Sequence, residues 1–191
     1  MVYPAHMGTE QANTRDRLIT SAARLFRQKG YHGTGLAEIL AESHAPKGSL
    51  YHHFPAGKSD LALVAADWVS QGMLEIIDAS FADAADFAEG AATFCHKLAK
   101  LFDLNDSWQS CPISTILFDG PDNGAFRTHA NTILTNWIKR TSLHARELGL
   151  EKADADAAAE LLLITIQGAW TLARARASSE VIRRIPRHLY G

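Results

Sequence analysis

The sequence predicts an all-α protein, with an N-terminal three-helix helix-turn-helix domain followed by a larger helical domain. Three observations carry that prediction. Apolar residues recur at helical spacing along most of the chain, and no alternating apolar-polar stretch of useful length interrupts them. The first sixty or so residues divide into one helix of about four turns and two short helices joined by only three or four residues. Hydrophobic residues make up 47% of 191, enough for a substantial core.

The elements follow in order. Thr14 is a candidate N-cap for a first helix carrying Leu18, Ala22, Leu25 and Phe26, which runs toward a lysine and Gly30. Thr34 is placed to cap a second helix with Leu36, Ile39 and Leu40 that ends near Ser43 and His44. Ala45 and Pro46 open the third, because the fixed φ of proline suits a first turn. After the breaker FPAG, Ser59 leads a pattern through Leu61, Val64, Trp68, Met73 and Ile77, about five turns over residues 59–78. Further helices are expected at about 84–103, 112–118, 124–147, 154–176 and 178–189, with DSWQSCP, DGPDNG and LGLEKAD between them. The expected organisation is a loose arm over 1–13, the helix-turn-helix domain over 14–58 and the larger domain over 59–191.

Charge is distributed unevenly. The net charge is −2, yet Thr14 to Ser59 holds seven Lys or Arg against three acids, a local +4. Two cysteines, Cys95 and Cys111, are too few for a disulfide scaffold, and the longest apolar run, Leu161 to Ile166, is far short of a membrane span. The start MVYPAHMGTEQANT lacks the apolar region of a signal peptide, so a soluble, reduced, cytoplasmic chain is expected.

Residues 47–54, KGSLYHHF, stand out because a helix there offers the core only Leu50 and Phe54. Steps of about 100° leave Gly48, Ser49, Tyr51 and His52 outside. Gly48 costs a helix roughly 1 kcal/mol relative to alanine, which suggests that something must approach the backbone closely. A nucleic-acid backbone or base edge would do so: Ser49 and Tyr51 can hydrogen-bond it, and Lys47 and Lys58 lie where phosphates would flank an inserted helix. The same stretch could equally be a connector, with Gly48 a turn residue and the histidines solvated. No metal is expected, because His52 and His53 are adjacent and diverge, and no second cluster supports them.

The run LITSAARLFRQKGYHGTGLAEILAESHAPKGSLYHHFPAGKSDL resembles the DNA-binding domain of the TetR family of transcriptional regulators, nearly continuously over some fifty residues. It departs at His44, where many relatives have glycine in the turn, and a strained but intact turn is expected there. The resemblance implies phosphate contacts by Thr34, His52, His53 and Lys58, and base-edge contacts by Lys47, Gly48, Ser49 and Tyr51. Together with SCPISTILFD downstream, KGSLYHHFPAGK resembles the LmrA/YxaF-like branch.

All four tryptophans lie beyond residue 64, among Phe94, Phe102, Phe118 and Phe126 and scattered polar groups. Such a set describes a small-molecule cavity or an ordinary core, and the resemblance favours a cavity for a small hydrophobic or aromatic effector. The candidate lining is Trp108, Cys111, Ile113, Phe118, Trp137, Gln167 and Trp170. The stretch ADAAAELLLITIQGAWTLARARASSEVIRRIPRHL gives a helix apolar over more than one stripe and a second helix beside it. Leu161, Ile164, Thr165, Gly168, Leu172, Val181 and Ile185 are the candidates for a twofold homodimer interface, the alternative being a central core helix.

No enzyme is expected. Asp154 and Asp156 lack the rest of a calcium loop, Cys111 and Cys95 have no positioned base, and no glycine loop cradles a phosphate, so no cofactor is expected either. The reading is a homodimeric repressor of a palindromic operator, controlled by a small molecule. The alternative is a helical sensor or partner-binding module without specific DNA binding.

Overall fold

A computed structural model describes residues 13–104, 112–117 and 124–191, and among them there is helix and no strand. The elements are α1 (Thr14–Gly33), α2 (Leu36–Ser43), α3 (Lys47–His53), α4 (Lys58–Phe81), α5 (Phe87–Leu104), α6 (Pro112–Leu117), α7 (Gly124–Glu147), α8 (Lys152–Arg176), α9 (Glu180–Arg183) and α10 (Ile185–Tyr190). No helix among the described residues is long and apolar enough to cross a membrane. Residues 1–12 of the expected arm lie outside them, as do DSWQSC and DGPDN of two expected connections.

Several helix ends differ from expectation for identifiable reasons. The cap of α1 is Asn13 rather than Thr14: its side chain accepts from the Asp16 N–H at 2.9 Å. Gly30 takes φ 71°, ψ 171°, so the helix kinks there and a last turn resumes through Tyr31. Thr34 belongs to that end rather than to the start of α2, whose N-cap is Gly35. Ser59 sits inside the first turn of α4, and it is Asp60 that accepts from the Ala56 N–H, at 2.7 Å. The expected 178–189 helix divides into α9 and α10, with Pro186 near the start of α10.

The chain forms two compact units, and they do not divide at residue 58. The first takes α1 to α3, α4 through Gly72, α6, and α7 through Ile133. The second takes α4 from Met73, α5, α7 from Leu134, and α8 to α10. The first unit reaches beyond the three N-terminal helices because α6 packs on α1 and Phe126 of α7 meets Tyr31 edge to face at 5.3 Å.

In the first unit Leu18, Ala22, Leu25 and Phe26 of α1 close over Ile39 of α2, Leu50 and Phe54 at α3, and Leu61 and Ala65 of α4, all essentially buried. Arg24 pairs with Glu42 and Lys29 with Glu38, tying α1 to α2. The Arg17 guanidinium donates to the Ser43 carbonyl at 3.0 Å, satisfying the end of α2.

The second unit centres on Phe87, Phe94, Cys95, Leu98 and Phe102 of α5, Trp137 of α7, and an inner stripe of α8. That stripe is Ala155, Ala159, Leu162, Ile166, Ala169 and Ala173, a seven-residue repeat of buried positions. Gly90 is required by close approach, since a Cβ there would lie 2.1 Å from the Phe81 ring. Asp78 accepts from Arg140 and meets His144 Nε2, both at 2.8 Å, while the His144 ring stacks on Phe81.

Candidate nucleic-acid interface

The interface begins with the turn that presents α3. His44 adopts φ 50°, ψ 37°, the left-handed conformation expected where a glycine would be easier, and Ala45 N–H bonds the Leu40 carbonyl at 3.2 Å to close α2. Pro46 then serves as N-cap of α3. Leu50 is 0% exposed and Phe54 1%, so they are the two anchors the wheel predicts.

Everything else on α3 stays available. Lys47, Gly48 and His52 are exposed, Ser49 and His53 partly so, and Tyr51 retains 46% exposure. A Cβ built at Gly48 meets nothing within 4 Å, so no contact inside the chain explains a glycine in this helix. Tyr51 is held from one side: the turn after α3 needs Gly57 at φ 69°, and a Cβ there would stand 3.4 Å from the Tyr51 ring. The His52 and His53 rings meet at 4.9 Å at the C-terminal end of α3, where the helix dipole favours cations.

Two of the eight expected contacts look different in place. Thr34 is 1% exposed and its hydroxyl donates to the Gly30 carbonyl at 2.9 Å, so its side chain is a structural brace of the kink and does not reach a phosphate. Lys58 is half-buried, with its ammonium 4.3 Å above the Tyr31 ring centroid, and burial pushes its pKa down. Arg15, absent from the sequence-based set, is exposed with its guanidinium 5.8 Å from the Phe54 ring centroid. Its partner is 39 residues away along the chain, so no local pattern could have revealed the pairing.

Of the expected cavity residues, Trp108, Cys111 and Phe118 lie outside the described residues. Ile113 is 1% exposed in the first unit. In the second, Trp137 is 2% exposed, and the half-buried Trp170 meets Phe102 edge to face at 5.6 Å on the same helix as Gln167. Of the expected interface residues, Leu161, Ile164 and Leu172 are 50%, 62% and 46% exposed, and a Cβ at Gly168 meets nothing within 4 Å. Thr165 and Val181 are half-buried, the Thr165 hydroxyl donating to the Leu161 carbonyl at 2.7 Å. Ile185 is a correction: at 2% exposure it belongs to the core of its own unit and offers a partner nothing.

A buried two-residue anchor carrying an outward reading face, set by a tight turn behind a bracing helix, defines a helix-turn-helix DNA-binding protein. Comparison with known proteins narrows this. Residues 18–65 match the bacterial regulatory proteins of the tetR family, and residues 88–188 match the transcriptional regulator LmrA/YxaF-like C-terminal domain. The HTH-type transcriptional regulator YxaF of Bacillus subtilis is 32% identical over 84% of this chain and 84% of its own. LmrA of the same organism, also an HTH-type transcriptional regulator, is 29% identical over 82% of this chain and 84% of its own. Among solved structures, a cysteine mutant of the TetR family regulator CifR, complexed with 26-bp double-strand operator DNA, superposes with a TM-score of 0.75. It is 21% identical and covers 95% of this chain and 97% of the other. The chain belongs to the TetR family of transcriptional regulators, in its LmrA/YxaF-like branch.

Proposed function

We propose that the protein is a homodimeric repressor whose two α3 helices read the half-sites of a palindromic operator in adjacent major grooves, and that a small hydrophobic or aromatic molecule in the C-terminal helical domain controls it. The observation that carries the reading is α3 itself: it buries Leu50 and Phe54 and leaves Lys47, Gly48, Ser49 and Tyr51 outward. Lys47 to Tyr51 approach base edges, and His52, His53 and Lys58 hold phosphates.

The dimer rests on α8. Its inner stripe is buried, whereas Leu161, Ile164, Gly168 and Leu172 recur every three or four residues on an exposed apolar line. An interior glycine with no neighbour of its own suits a partner helix that approaches closely. Two such lines form an isologous contact, and the resulting twofold axis matches an operator palindrome.

The effector would act through α4, whose residues belong to both units. Ligand and DNA then favour different arrangements, so each weakens the other's binding by the same factor. Trp137, Gln167 and Trp170, which share the second unit, are the proposed lining. A cytoplasmic location fits this role. Gel shifts on DNA selected from a random pool test the reading: a discrete complex on selected sequence, competed poorly by unrelated DNA, is expected. A protein that selects nothing would point to the helical sensor without specific DNA binding.

A further inference from the structure

Cations of the first unit are restrained in different ways. Arg24 and Lys29 are neutralised by Glu42 and Glu38. Lys58 is held differently, over the Tyr31 ring at 4.3 Å, and among the described residues no carboxylate pairs with it. The distinction matters for a phosphate contact. A carboxylate that fixed the ammonium would also cancel its charge and compete with the phosphate, whereas an aromatic face restrains the ammonium and leaves its charge intact.

Tyr31 is itself fixed. It follows the kink at Gly30, and its ring packs against Phe26 at 5.7 Å and edge to face against Phe126 at 5.3 Å, where Phe126 is 2% exposed. A lysine stem has four rotatable bonds, and ordering them on DNA opposes binding. A rigid ring beneath the ammonium removes part of that cost in advance. We propose that Tyr31 is a positioning residue for DNA binding: it holds Lys58 at the start of α4, charged and pre-ordered for a backbone phosphate, with Phe126 fixing the ring. The proposal rests on the reading of Lys58 as a phosphate contact. Burial that disfavours the Lys58 charge makes the ring the more necessary.

The test is a double-mutant cycle on full-length protein and DNA selected from a random pool, titrated over a salt series. Lys58→Ala should lower the slope of log affinity against log salt by about 0.9, one phosphate contact. Tyr31→Leu should weaken binding roughly three- to tenfold without reordering the preference among operator variants, and that loss should vanish in the Lys58→Ala background. Tyr31→Phe, which keeps the ring, should stay within about twofold of wild type. If Tyr31→Leu proves unfolded by circular dichroism, phenylalanine and pentafluorophenylalanine at position 31 replace it, since they share a shape and oppose in ring charge. The fluorinated ring should then reproduce the loss. The proposal is overturned if the Tyr31 effect persists undiminished without Lys58, if Phe is as impaired as Leu, or if Lys58→Ala leaves the slope unchanged. Wild-type protein that selects no sequence at all would instead overturn the reading of α3 on which the proposal stands.

Discussion

Replacing Gly48 with alanine should make the protein more stable and a worse DNA binder. Gly48 sits in the first turn of α3 with helical φ, and a Cβ there meets nothing within 4 Å. Nothing in the folded chain resists the methyl, and the unfolded chain loses freedom, so the change should stabilise the first unit by about 0.5–1 kcal/mol. In a chain of this size that corresponds to a melting shift of roughly 1–4 °C. On DNA the same methyl stands between the helix backbone and whatever approaches it. A loss of at least about tenfold, or ~1.4 kcal/mol, is expected for specific binding. Thermal denaturation followed by circular dichroism gives the first number and fluorescence anisotropy on a selected operator gives the second. Opposite signs are the prediction. If Gly48→Ala binds as tightly as wild type, the open space above Gly48 is not where DNA approaches; if it melts lower, the glycine has an internal role that the packing does not contain.

Three further outcomes follow from particular side chains. Tyr51→Ala should abolish discrimination between selected and unrelated DNA while leaving the melt within about 0.5 kcal/mol, since Tyr51 is 46% exposed; retained discrimination would remove this residue from the reading set. Ile164→Asp, at a position 62% exposed in the single chain, should yield monomers in sedimentation at concentrations where wild type is dimeric, with helicity unchanged; a persistent dimer would place the interface elsewhere. Cys95, fully buried with its thiol pushed up to about 12 by burial, should resist iodoacetamide at pH 8 until denaturant is added. Stoichiometric labelling of native protein at Cys95 would show that α5 opens.

Local physics explains what could be read in advance. The helices follow from apolar spacing, and the two anchors of α3 follow from a hundred-degree step, because both are decided within a few residues. The strained His44 was legible through the resemblance, which marks that turn position as one where many relatives have glycine, and the residue does take the left-handed conformation. What could not be read depends on contacts distant in sequence. Thr34 has the residue type of an N-cap, yet the kink at Gly30 turns its hydroxyl back to α1. Ile185 carries the apolar character of an interface residue, and only the packing of α10 on α5 and α8 shows that the chain buries it itself. Tyr31 gave no signal beyond its place after Gly30, since Lys58 and Phe126 reach it only once α4, α6 and α7 have joined the first unit.

The central claim is that α3 of each of two subunits reads one half of a symmetric site. Sequencing the DNA that the wild-type protein selects from a random pool tests it most directly. Enrichment of an inverted repeat is predicted, with half-site centres about one helical turn or a small multiple of it apart, and no enrichment for Tyr51→Ala. Enrichment of a single half-site or a direct repeat would contradict the twofold dimer, and no enrichment by the wild type would contradict reading by α3.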